Sequence, residues 1–377
     1  MVDLHVSGRC AGAGRLLLQP AGRRVARPAR SAEAHMSAFP LHPLDVLATG
    51  GSATSVGAPA HLFVEALSLN FKTRHGTVKA LEDVSLTVQR GEIVGVVGES
   101  GSGKSVMAYT VMGLHDPAAR IESGSIRFGG TELLKTTEAE LGEIRGRELA
   151  MIFQSPRTAL NPIRKVGLQI EDVLRRHAAI RSDELRRHAI QALERVRIPD
   201  PERRFDAYPF ELSGGMCQRV MIAMALACSP SMLIADEPTT GLDVTTQAVI
   251  MDLIRDLSRS TRMSTLLITH DLGLAGEYCD RIAVMHAGHV VEFAPTEVLL
   301  REPAHPYTRQ LLAATPTPRS SVASLTSIPG QLPDLRGELS VCRFRHRCER
   351  ALPVCDEPPL PWTQMLADHL VRCRNPL

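Results

Sequence analysis

The sequence predicts an α/β fold built on a mainly parallel sheet with helices on its faces. Three short apolar runs, at residues 93–97, 232–235 and 265–269, read as buried strands bounded by turn residues. Segments of helical character separate these runs. Strands that alternate with helices favour parallel pairing, because a crossover helix returns the chain to the same end of the sheet.

Other elements are predicted by the periodicity of apolar residues. Alternation from Val84 to Val88 predicts a half-buried strand, and residues 166–197 predict helix. The apolar face of this helical region consists of Leu185, Ala189, Leu193 and Val196. The runs 282–284 and 290–292 flank an Ala-Gly pair and predict a hairpin. After about Arg301 the chain becomes rich in proline, and we expect a separate appendage.

Bulk composition limits the classes of function. A chain of 377 residues allows two or three domains. Its formal net charge of +2 is far from the strongly basic balance of a nucleic-acid-binding protein. The longest apolar run, Val220 to Cys228, is much shorter than the roughly 18 residues of a membrane-spanning helix. Any role at a membrane is therefore expected to be peripheral, through a partner.

Residues 1–60 are rich in Ala, Gly, Pro and Arg and have no sustained periodicity. We expect a disordered tail, or an assigned start that lies too early, with Met36 as the true one. A targeting peptide is the alternative, because such peptides are also rich in Arg and poor in acidic residues.

Residues 98–105 read Gly-Glu-Ser-Gly-Ser-Gly-Lys-Ser and match the phosphate-binding pattern G-x-x-x-x-G-K-[ST]. The motif lies between an apolar strand and a plausible helix, as the pattern requires. Glycines let backbone N–H groups point at phosphates, and the helix adds its positive N-terminal end. Lys104 is expected to neutralise the β- and γ-phosphates, and the Ser105 hydroxyl to ligate Mg²⁺. The predicted nucleotide contacts are Gly98, Glu99, Ser100, Gly101, Ser102, Gly103, Lys104 and Ser105.

Two carboxylates follow the second apolar run. The sequence from Leu233 to Glu237 reads Leu-Ile-Ala-Asp-Glu. Behind a phosphate-binding loop, Asp236 is expected to bind Mg²⁺ through water. Glu237 is placed to polarise the attacking water as the catalytic base.

The stretch from Leu212 to Gln218 reads Leu-Ser-Gly-Gly-Met-Cys-Gln and closely resembles the signature of ABC ATPases. A serine at a helix start followed by glycines is an anion site. In that family, Ser213, Gly214 and Gly215 bind the γ-phosphate of ATP held by another subunit. The resemblance therefore implies that one chain carries half of a shared site.

The resemblance extends to three single residues in the family's order and spacing. It implies that Gln154, in Phe-Gln-Ser-Pro, is catalytic and a magnesium ligand. It implies that Asp243 contacts the nucleotide from the D-loop, and that His270, in Ile-Thr-His-Asp, is the catalytic switch histidine. An aromatic residue that stacks on adenine is expected at Phe71 or His75, of which Phe71 is favoured.

The resemblance also implies a more detailed fold, that of a P-loop ABC ATPase. We expect a nucleotide-binding domain over residues 61–300 with a RecA-like, mainly parallel core. It would carry an N-terminal antiparallel β subdomain and a helical signature subdomain over about 155–225. A small Cys-containing C-terminal extension would occupy residues 301–377.

Four further stretches resemble the ATPases of oligopeptide and dipeptide (or nickel) importers, and the Thr-Thr pair before Gly241 resembles their D-type subunit. These stretches are residues 218–226, 236–247, 304–308 and 328–330. The resemblance implies a peripheral protein on the cytoplasmic face of the inner membrane that powers peptide import. The implied partners are a second ABC ATPase subunit, two integral-membrane permease subunits and an extracytoplasmic substrate-binding protein, with no nucleic acid.

The tail contains four cysteines with the spacing C-x5-C-x6-C-x17-C, which matches neither a zinc ribbon nor a simple ferredoxin run. In related importer ATPases the same cysteines bind an iron–sulfur cluster, so the resemblance implies [4Fe–4S]; zinc or free thiols remain open. The cysteines are Cys342, Cys348, Cys355 and Cys373. Arg343, Arg345, Arg347 and Arg350 would offset the charge of a cluster or form a solvated basic face.

Two rival functions and several cargoes remain open. A soluble ABC ATPase of DNA repair or translation is disfavoured by the single cassette and the lack of long heptads. A regulatory module with a dead site is disfavoured by the intact Lys104, Asp236, Glu237 and His270. Dipeptides, longer peptides, nickel chelates and glutathione are all compatible cargoes.

Overall fold

The structure, a computed structural model, describes residues 60–316 and 327–377. The expectations for the first residues of the chain therefore fall outside the described part. The strands, numbered in chain order, are β1 Leu62–Thr73, β2 Gly76–Val88, β3 Ile93–Val97, β4 Ala119–Phe128, β5 Thr131–Glu132, β6 Leu149–Ile152, β7 Met232–Asp236, β8 Ser264–Thr269, β9 Arg281–His286, β10 His289–Pro295, β11 Thr363–Leu366 and β12 His369–Val371.

The helices separate the strands as expected of an α/β fold. They are α1 Lys104–Val111, α2 Glu138–Ile144, α3 Pro156–Ala159, α4 Val166–His177, α5 Leu185–Arg195, α6 Pro201–Phe205, α7 Gly214–Leu226, α8 Val244–Thr261, α9 Leu272–Tyr278, α10 Thr296–Arg301 and α11 Pro306–Ala314. The helical region predicted at 166–197 is interrupted between α4 and α5. Among the described residues, no helix combines the length and apolarity needed to cross a bilayer.

Two sheets form the scaffold. The smaller is antiparallel, with the order β2-β1-β4-β5, and contains most of the N-terminal strands. The larger has the order β11-β12-β10-β9-β3-β8-β7-β6. Its strands are parallel from β9 to β6, and β10, β11 and β12 are added antiparallel. The α/β class and the predicted hairpin of β9 and β10 are confirmed.

The core lies on both faces of the larger sheet because successive side chains of a strand point in opposite directions. Ile93 and Val97 of β3 pack with the helices from α4 to α8 on one face. Val94 and Val96 pack with β1, β2 and α1 on the other. Helices α3 to α7 span residues 156–226, close to the region expected for a helical subdomain.

The prediction of a half-buried strand at the end of β2 is wrong. Ser85 and Thr87 are buried like the apolar residues between which they alternate, with exposed fractions of 2% and 1%. Ser85 Oγ accepts a hydrogen bond from Ala66 N at 2.9 Å, and Arg281 Nη2 donates to Thr87 Oγ1 at 3.4 Å. These long-range partners allow polar groups to be buried on the face expected to be solvated.

The prediction of a separate appendage after Arg301 is also wrong. Strand β12 pairs antiparallel with β10 of the main sheet, with Leu370 opposite Phe293. The buried Glu292 accepts hydrogen bonds from Ala304 N at 2.7 Å and His305 N at 2.9 Å. Strand pairing and this buried carboxylate make the extension part of the same core.

Candidate nucleotide-binding site

The loop of residues 98–105 leaves the carboxyl end of β3 and enters α1, which begins at Lys104. Gly98 has φ +154°, and a Cβ on it would lie 2.1 Å from the Met285 carbonyl oxygen. Only glycine therefore allows the loop to pass so close to β9. Gly288 N donates a 2.8 Å hydrogen bond to the Ser102 carbonyl, which also ties the loop to the turn after β9.

Lys104 lies within the curve of this loop. Its Nζ donates to the Gly98 carbonyl at 2.8 Å and to the Glu99 carbonyl at 2.9 Å. Burial lowers the pKa of Lys104, whereas the negative charges of Glu237, Asp236 and Glu99 act in the opposite direction. The ammonium group is thus held inside the loop by two of its backbone carbonyls.

Ser105 and Asp236 provide neighbouring oxygen atoms where α1 begins and β7 ends. The Ser105 hydroxyl donates to Asp236 Oδ1 at 3.1 Å. Burial raises the pKa of Asp236, the hydrogen bond from Ser105 lowers it, and the charge of Glu237 raises it further. A hydroxyl and a carboxylate oxygen are ligands that Mg²⁺ accepts, so this pair fits the expected metal.

Glu237 is the centre of a hydrogen-bonded group that joins the nearby Thr240 to the distant Gln154 and His270. Its Oε2 accepts from Gln154 Nε2 at 3.0 Å and from Thr240 Oγ1 at 2.9 Å, and His270 Nδ1 lies 3.2 Å from its Oε1. Burial alone would raise the pKa of Glu237, but the hydrogen bonds from Thr240, His270 and Gln154 keep it below its ordinary value. Near neutral pH the carboxylate is therefore ionised.

The backbone of Glu237 is unusual for a residue with a side chain. Its φ of +47° lies in the left-handed region. Such a conformation costs about 1–3 kcal/mol and persists only where the surroundings enforce it. Here Glu237 N donates to the Ile268 carbonyl at 2.9 Å, so pairing with β8 fixes the position at which the carboxylate leaves the strand.

An open cleft joins these groups. Ser100, Lys104, Ser105, Gln154 and Glu237 line its polar part. Phe71, Val78 and Leu335 line an apolar part, which suits the base of a nucleotide. His75, the alternative to Phe71, lies in the exposed turn between β1 and β2.

The signature and the D-loop residue lie outside the lining of this cleft in the described part of the chain. Ser213 begins α7, and its Oγ accepts from Met216 N at 3.3 Å. Gly214 faces open space, with no atom within 4 Å of a Cβ added to it. Asp243 begins α8, is exposed, and accepts from Thr246 N at 3.0 Å. One chain thus brings together its loop, Asp236, Glu237, Gln154 and His270, while its signature faces outward.

Three residues near the site were missed by sequence reasoning. Thr240 contacts the carboxylate of Glu237, although in the sequence the Thr-Thr pair indicates only the subfamily. Gln218 Nε2 donates to the Pro238 carbonyl at 2.5 Å and so connects the signature helix to the segment after Glu237. Leu335 lines the cleft from the C-terminal extension, and no local pattern marks it.

The four tail cysteines lie near one another. Cys342 N donates to the Cys355 carbonyl at 3.1 Å, and burial together with the other three thiols raises the pKa of Cys342 to about 12. Backbone N–H groups point at sulfur in two cases: Leu352 N lies 3.4 Å from Cys355 Sγ, and Asn375 N lies 3.3 Å from Cys373 Sγ. Within the described ranges, however, no three His, Cys, Asp or Glu side chains are arranged closely enough to bind a metal.

Two families match the chain. Residues 81–240 match the family described as ABC transporter, and residues 291–355 match the oligopeptide/dipeptide transporter C-terminal region. The chain is also similar to the dimeric ATP-binding cassette MJ0796, in a post-hydrolysis state bound to ADP and Pi, with a TM-score of 0.57 and 28% identity. That match covers 62% of this chain and 98% of the cassette.

Full-length relatives are more similar in sequence. A putative peptide import ATP-binding protein of Brucella abortus is 46% identical over 83% of this chain and 94% of the relative. The dipeptide transport ATP-binding protein DppD of Escherichia coli is 44% identical, over 84% and 97%. The oligopeptide transport ATP-binding protein OppD of Salmonella typhimurium is 42% identical, over 86% and 97%.

Proposed function

The chain belongs to the family of ABC ATPases that serve oligopeptide and dipeptide transporters, and we propose that its ATP hydrolysis powers the uptake of peptides into the cell. The group formed by Gln154, Glu237 and His270 beside the phosphate-binding loop carries the chemical part of this proposal. The transport part rests on relatives that are named for peptide import and matched over nearly their whole length.

ATP is proposed to bind with its phosphates in the loop and its base against Phe71. Lys104 would exchange its hydrogen bonds with the Gly98 and Glu99 carbonyls for the β- and γ-phosphates. Ser105 and Asp236 would hold Mg²⁺, with Gln154 as a further ligand. When bound, Mg²⁺ neutralises phosphate charge and favours the ionised form of Asp236.

Glu237 is proposed to be the catalytic base. Its ionised carboxylate can accept a hydrogen bond from the water that attacks the γ-phosphate. In the structure Oε2 already accepts from Gln154 and Thr240, whereas Oε1 contacts only His270. A carboxylate offers about four acceptor positions, so Oε1 retains one for the attacking water. His270 would then orient the carboxylate and the γ-phosphate.

A second ATPase subunit is proposed to complete the site. At the N-terminus of α7, Ser213 and Gly214 are exposed and Gly215 is half-buried, so this end of the helix can donate N–H groups to a phosphate outside its own chain. Head-to-tail pairing would bring this surface, together with Asp243, against the ATP of the partner. The dimeric state reported for the MJ0796 cassette supports this arrangement.

We propose that the conformational change caused by ATP hydrolysis is transmitted to the permease subunits. Gln154 contacts Glu237 and begins the segment that continues through α3 to α4. A change at Glu237 during hydrolysis can therefore be transmitted to that segment. We place the protein peripherally on the cytoplasmic face of the inner membrane, with two permeases and an extracytoplasmic binding protein that selects the peptide.

Reconstitution tests this proposal. The chain is co-expressed with a second ATPase subunit and two permeases, and ATP hydrolysis is measured in liposomes with the binding protein added. Dipeptide or oligopeptide should stimulate hydrolysis several-fold and accumulate in the liposomes. Stimulation by a nickel chelate or glutathione but by no peptide would contradict peptide import, as would co-purification with ribosomes or DNA instead of permeases.

The four tail cysteines are proposed to hold an iron–sulfur cluster. Four thiolates suit such a cluster, and N–H groups directed at Cys355 and Cys373 would stabilise negative charge on sulfur. The charges of the other three thiols contribute to the raised pKa of Cys342, which supports a common site. When bound, a cluster of this type would cross-link the parts of the tail that carry the four cysteines, and it would provide a redox-active centre.

Anaerobic purification tests the cluster. Iron, labile sulfide and zinc are measured together with the visible absorption spectrum, for the wild type and Cys355→Ser. Stoichiometric iron and sulfide with a visible band that is lost in Cys355→Ser would support the assignment. Stoichiometric zinc, or four titratable thiols without metal, would overturn it.

A further inference from the structure

Glu99, the second residue of the phosphate-binding loop, is bound by a side chain from the C-terminal extension. Arg347 Nη1 donates to Glu99 Oε2 at 2.7 Å, and Arg347 Nη2 donates to Glu99 Oε1 at 2.9 Å. The pair is bidentate, the geometry in which an arginine–carboxylate interaction is strongest and most directional. It joins residues 248 positions apart in the chain.

Arg347 is placed for this contact by its surroundings. Its side chain is only 4% exposed, and its Nε donates to the Pro329 carbonyl at 2.8 Å. A Cβ at Gly330 would lie 3.3 Å from Arg347 Cγ, so glycine leaves room for the aliphatic part of the arginine. All three guanidinium nitrogens thus have a defined acceptor.

The backbone of Glu99 is fixed from the extension as well. Glu99 N donates to the hydroxyl of Tyr307 at 3.0 Å, and the Tyr307 side chain is fully buried. His286 Nδ1 lies 3.7 Å from Glu99 Oε2, but burial, followed by the charge of Arg347, lowers the pKa of His286 to about 3. His286 is therefore neutral near pH 7, and Arg347 provides the positive charge that pairs with Glu99.

The same residue also contacts the lysine that would bind phosphate. The Glu99 carbonyl accepts from Lys104 Nζ at 2.9 Å. An unpaired Glu99 carboxylate would place a negative charge in a loop that must accept a triphosphate, and it could draw Lys104 away from the phosphates. The contact between Arg347 and Glu99 removes both obstacles.

We propose that Arg347 is a positioning residue for ATP binding, which acts through Glu99 and makes the C-terminal extension part of the nucleotide site. The inference rests on ATP binding at residues 98–105 and assigns a role to a residue of the extension. Arg347 does not itself reach the phosphates. It neutralises Glu99, and with Tyr307 it keeps the loop in the shape that exposes its N–H groups.

Equilibrium binding of MgATP to the full chain tests this proposal. Arg347→Met should raise the Kd at least about tenfold, because the unpaired Glu99 carboxylate then repels the triphosphate and attracts Lys104. Adding Glu99→Gln to Arg347→Met should recover most of the affinity, because the unmatched charge is then removed. Arg345→Met is the matched control: Arg345 lies in the same turn but pairs with Asp356 at 2.6 Å, so its Kd should equal that of the wild type.

The double variant separates this role from a purely structural one. If Arg347 only stabilised the fold, melting temperature would fall in both Arg347 variants and Glu99→Gln would not restore ATP affinity; that result would overturn the proposal. If Arg347→Met does not fold, Arg347→Gln keeps a polar side chain beside Glu99 but removes the neutralising charge, and a Kd equal to that of the wild type in this variant would overturn the proposal. Absence of ATP binding by the wild type would instead contradict the proposed function itself.

Discussion

The Ser105 hydroxyl donates a 3.1 Å hydrogen bond to Asp236 Oδ1, although the two residues lie 131 positions apart. The contact brings the start of α1 to the end of β7. It places the hydroxyl and carboxylate oxygen atoms that we propose as magnesium ligands side by side, next to Lys104 in its loop.

Replacement of Ser105 tests whether Ser105 and Asp236 bind Mg²⁺ together. Ser105→Ala removes one ligand, and we expect the Mg²⁺ concentration for half-maximal ATP hydrolysis to rise about tenfold, equivalent to about 1.4 kcal/mol. Ser105→Thr retains the hydroxyl and serves as the control, with a magnesium dependence close to the wild type. Equal magnesium dependence in the alanine and threonine variants would show that the Ser105 hydroxyl does not bind Mg²⁺.

Glu237→Gln separates binding from turnover. The amide cannot accept a proton, so the rate of ATP hydrolysis should fall about 100-fold or more while the Kd for MgATP stays within about twofold. Steady-state hydrolysis and equilibrium binding are measured on the same preparation. Glu302→Gln, at an exposed position, controls for the loss of one charge. Near-normal hydrolysis by Glu237→Gln would require another base.

Leu335→Ala tests whether the C-terminal extension contributes to the apolar part of the cleft, where we propose that the adenine base binds. Leu335 lines the cleft with Phe71 and Val78, and its carbonyl is bound to Lys79 N at 3.0 Å, which fixes it over β2. Loss of this apolar contact should raise the KM for ATP about threefold to tenfold and leave kcat little changed. Leu352→Ala, at an exposed leucine away from the cleft, is the control. An unchanged KM would show that the base does not reach Leu335.

The buried Glu292 should stabilise the junction between the main sheet and the extension. Besides two backbone N–H groups, its Oε1 contacts His369 Nε2 at 2.8 Å, and its exposed fraction is 0%. Glu292→Gln replaces one carboxylate oxygen, an acceptor, by an amide NH₂ group, which then faces N–H donors. We therefore expect the free energy of unfolding to fall by about 3 kcal/mol. Urea unfolding measures it. Glu297→Gln, on the next helix, should change stability by less than about 0.5 kcal/mol.

Stability should decline as the pH falls below about 6.5, because four buried histidines resist protonation. One of them is His61, where burial lowers the pKa to about 4. Burial is the main cause that lowers the pKa of His286 to about 3, and of His289 and His305 to about 4. The unfolded chain binds these protons near pH 6.5 and the folded chain does not. Between that pH and about 4, each group should thus contribute a slope of up to about 1.4 kcal/mol per pH unit, with stability rising as pH rises.

Unfolding in urea from pH 7.5 to 4.5 measures this dependence. His286→Leu removes one titrating group and should flatten the slope. His115→Leu replaces an exposed histidine and should leave it unchanged. A pH dependence that is identical in the wild type and His286→Leu would show that this histidine takes up its proton with equal ease in the folded and unfolded chains.

The local motifs of the nucleotide site could be read from the sequence because each is specified by neighbouring residues. A continuous apolar run followed by glycines and a lysine specifies strand, loop and helix within about fifteen positions. The same holds for the acidic pair after β7. Gln154 and His270 are single residues without a local pattern, and only the family resemblance marked them; the structure brings both to Glu237.

Other features of the fold and the site depend on groups that are far apart in the chain, and only the tertiary structure shows them. The side chains of Ser85 and Thr87 alternate with apolar residues as in a solvated strand, yet long-range hydrogen bonds to their hydroxyls permit their burial. The tail has the composition of a separate appendage, yet β12 pairs with the main sheet. Arg347 was one of several arginines near the cysteines, and nothing local pairs it with Glu99. Burial and charge pairing are settled by which surfaces pack together, and this information is spread over the whole chain rather than held in any one segment.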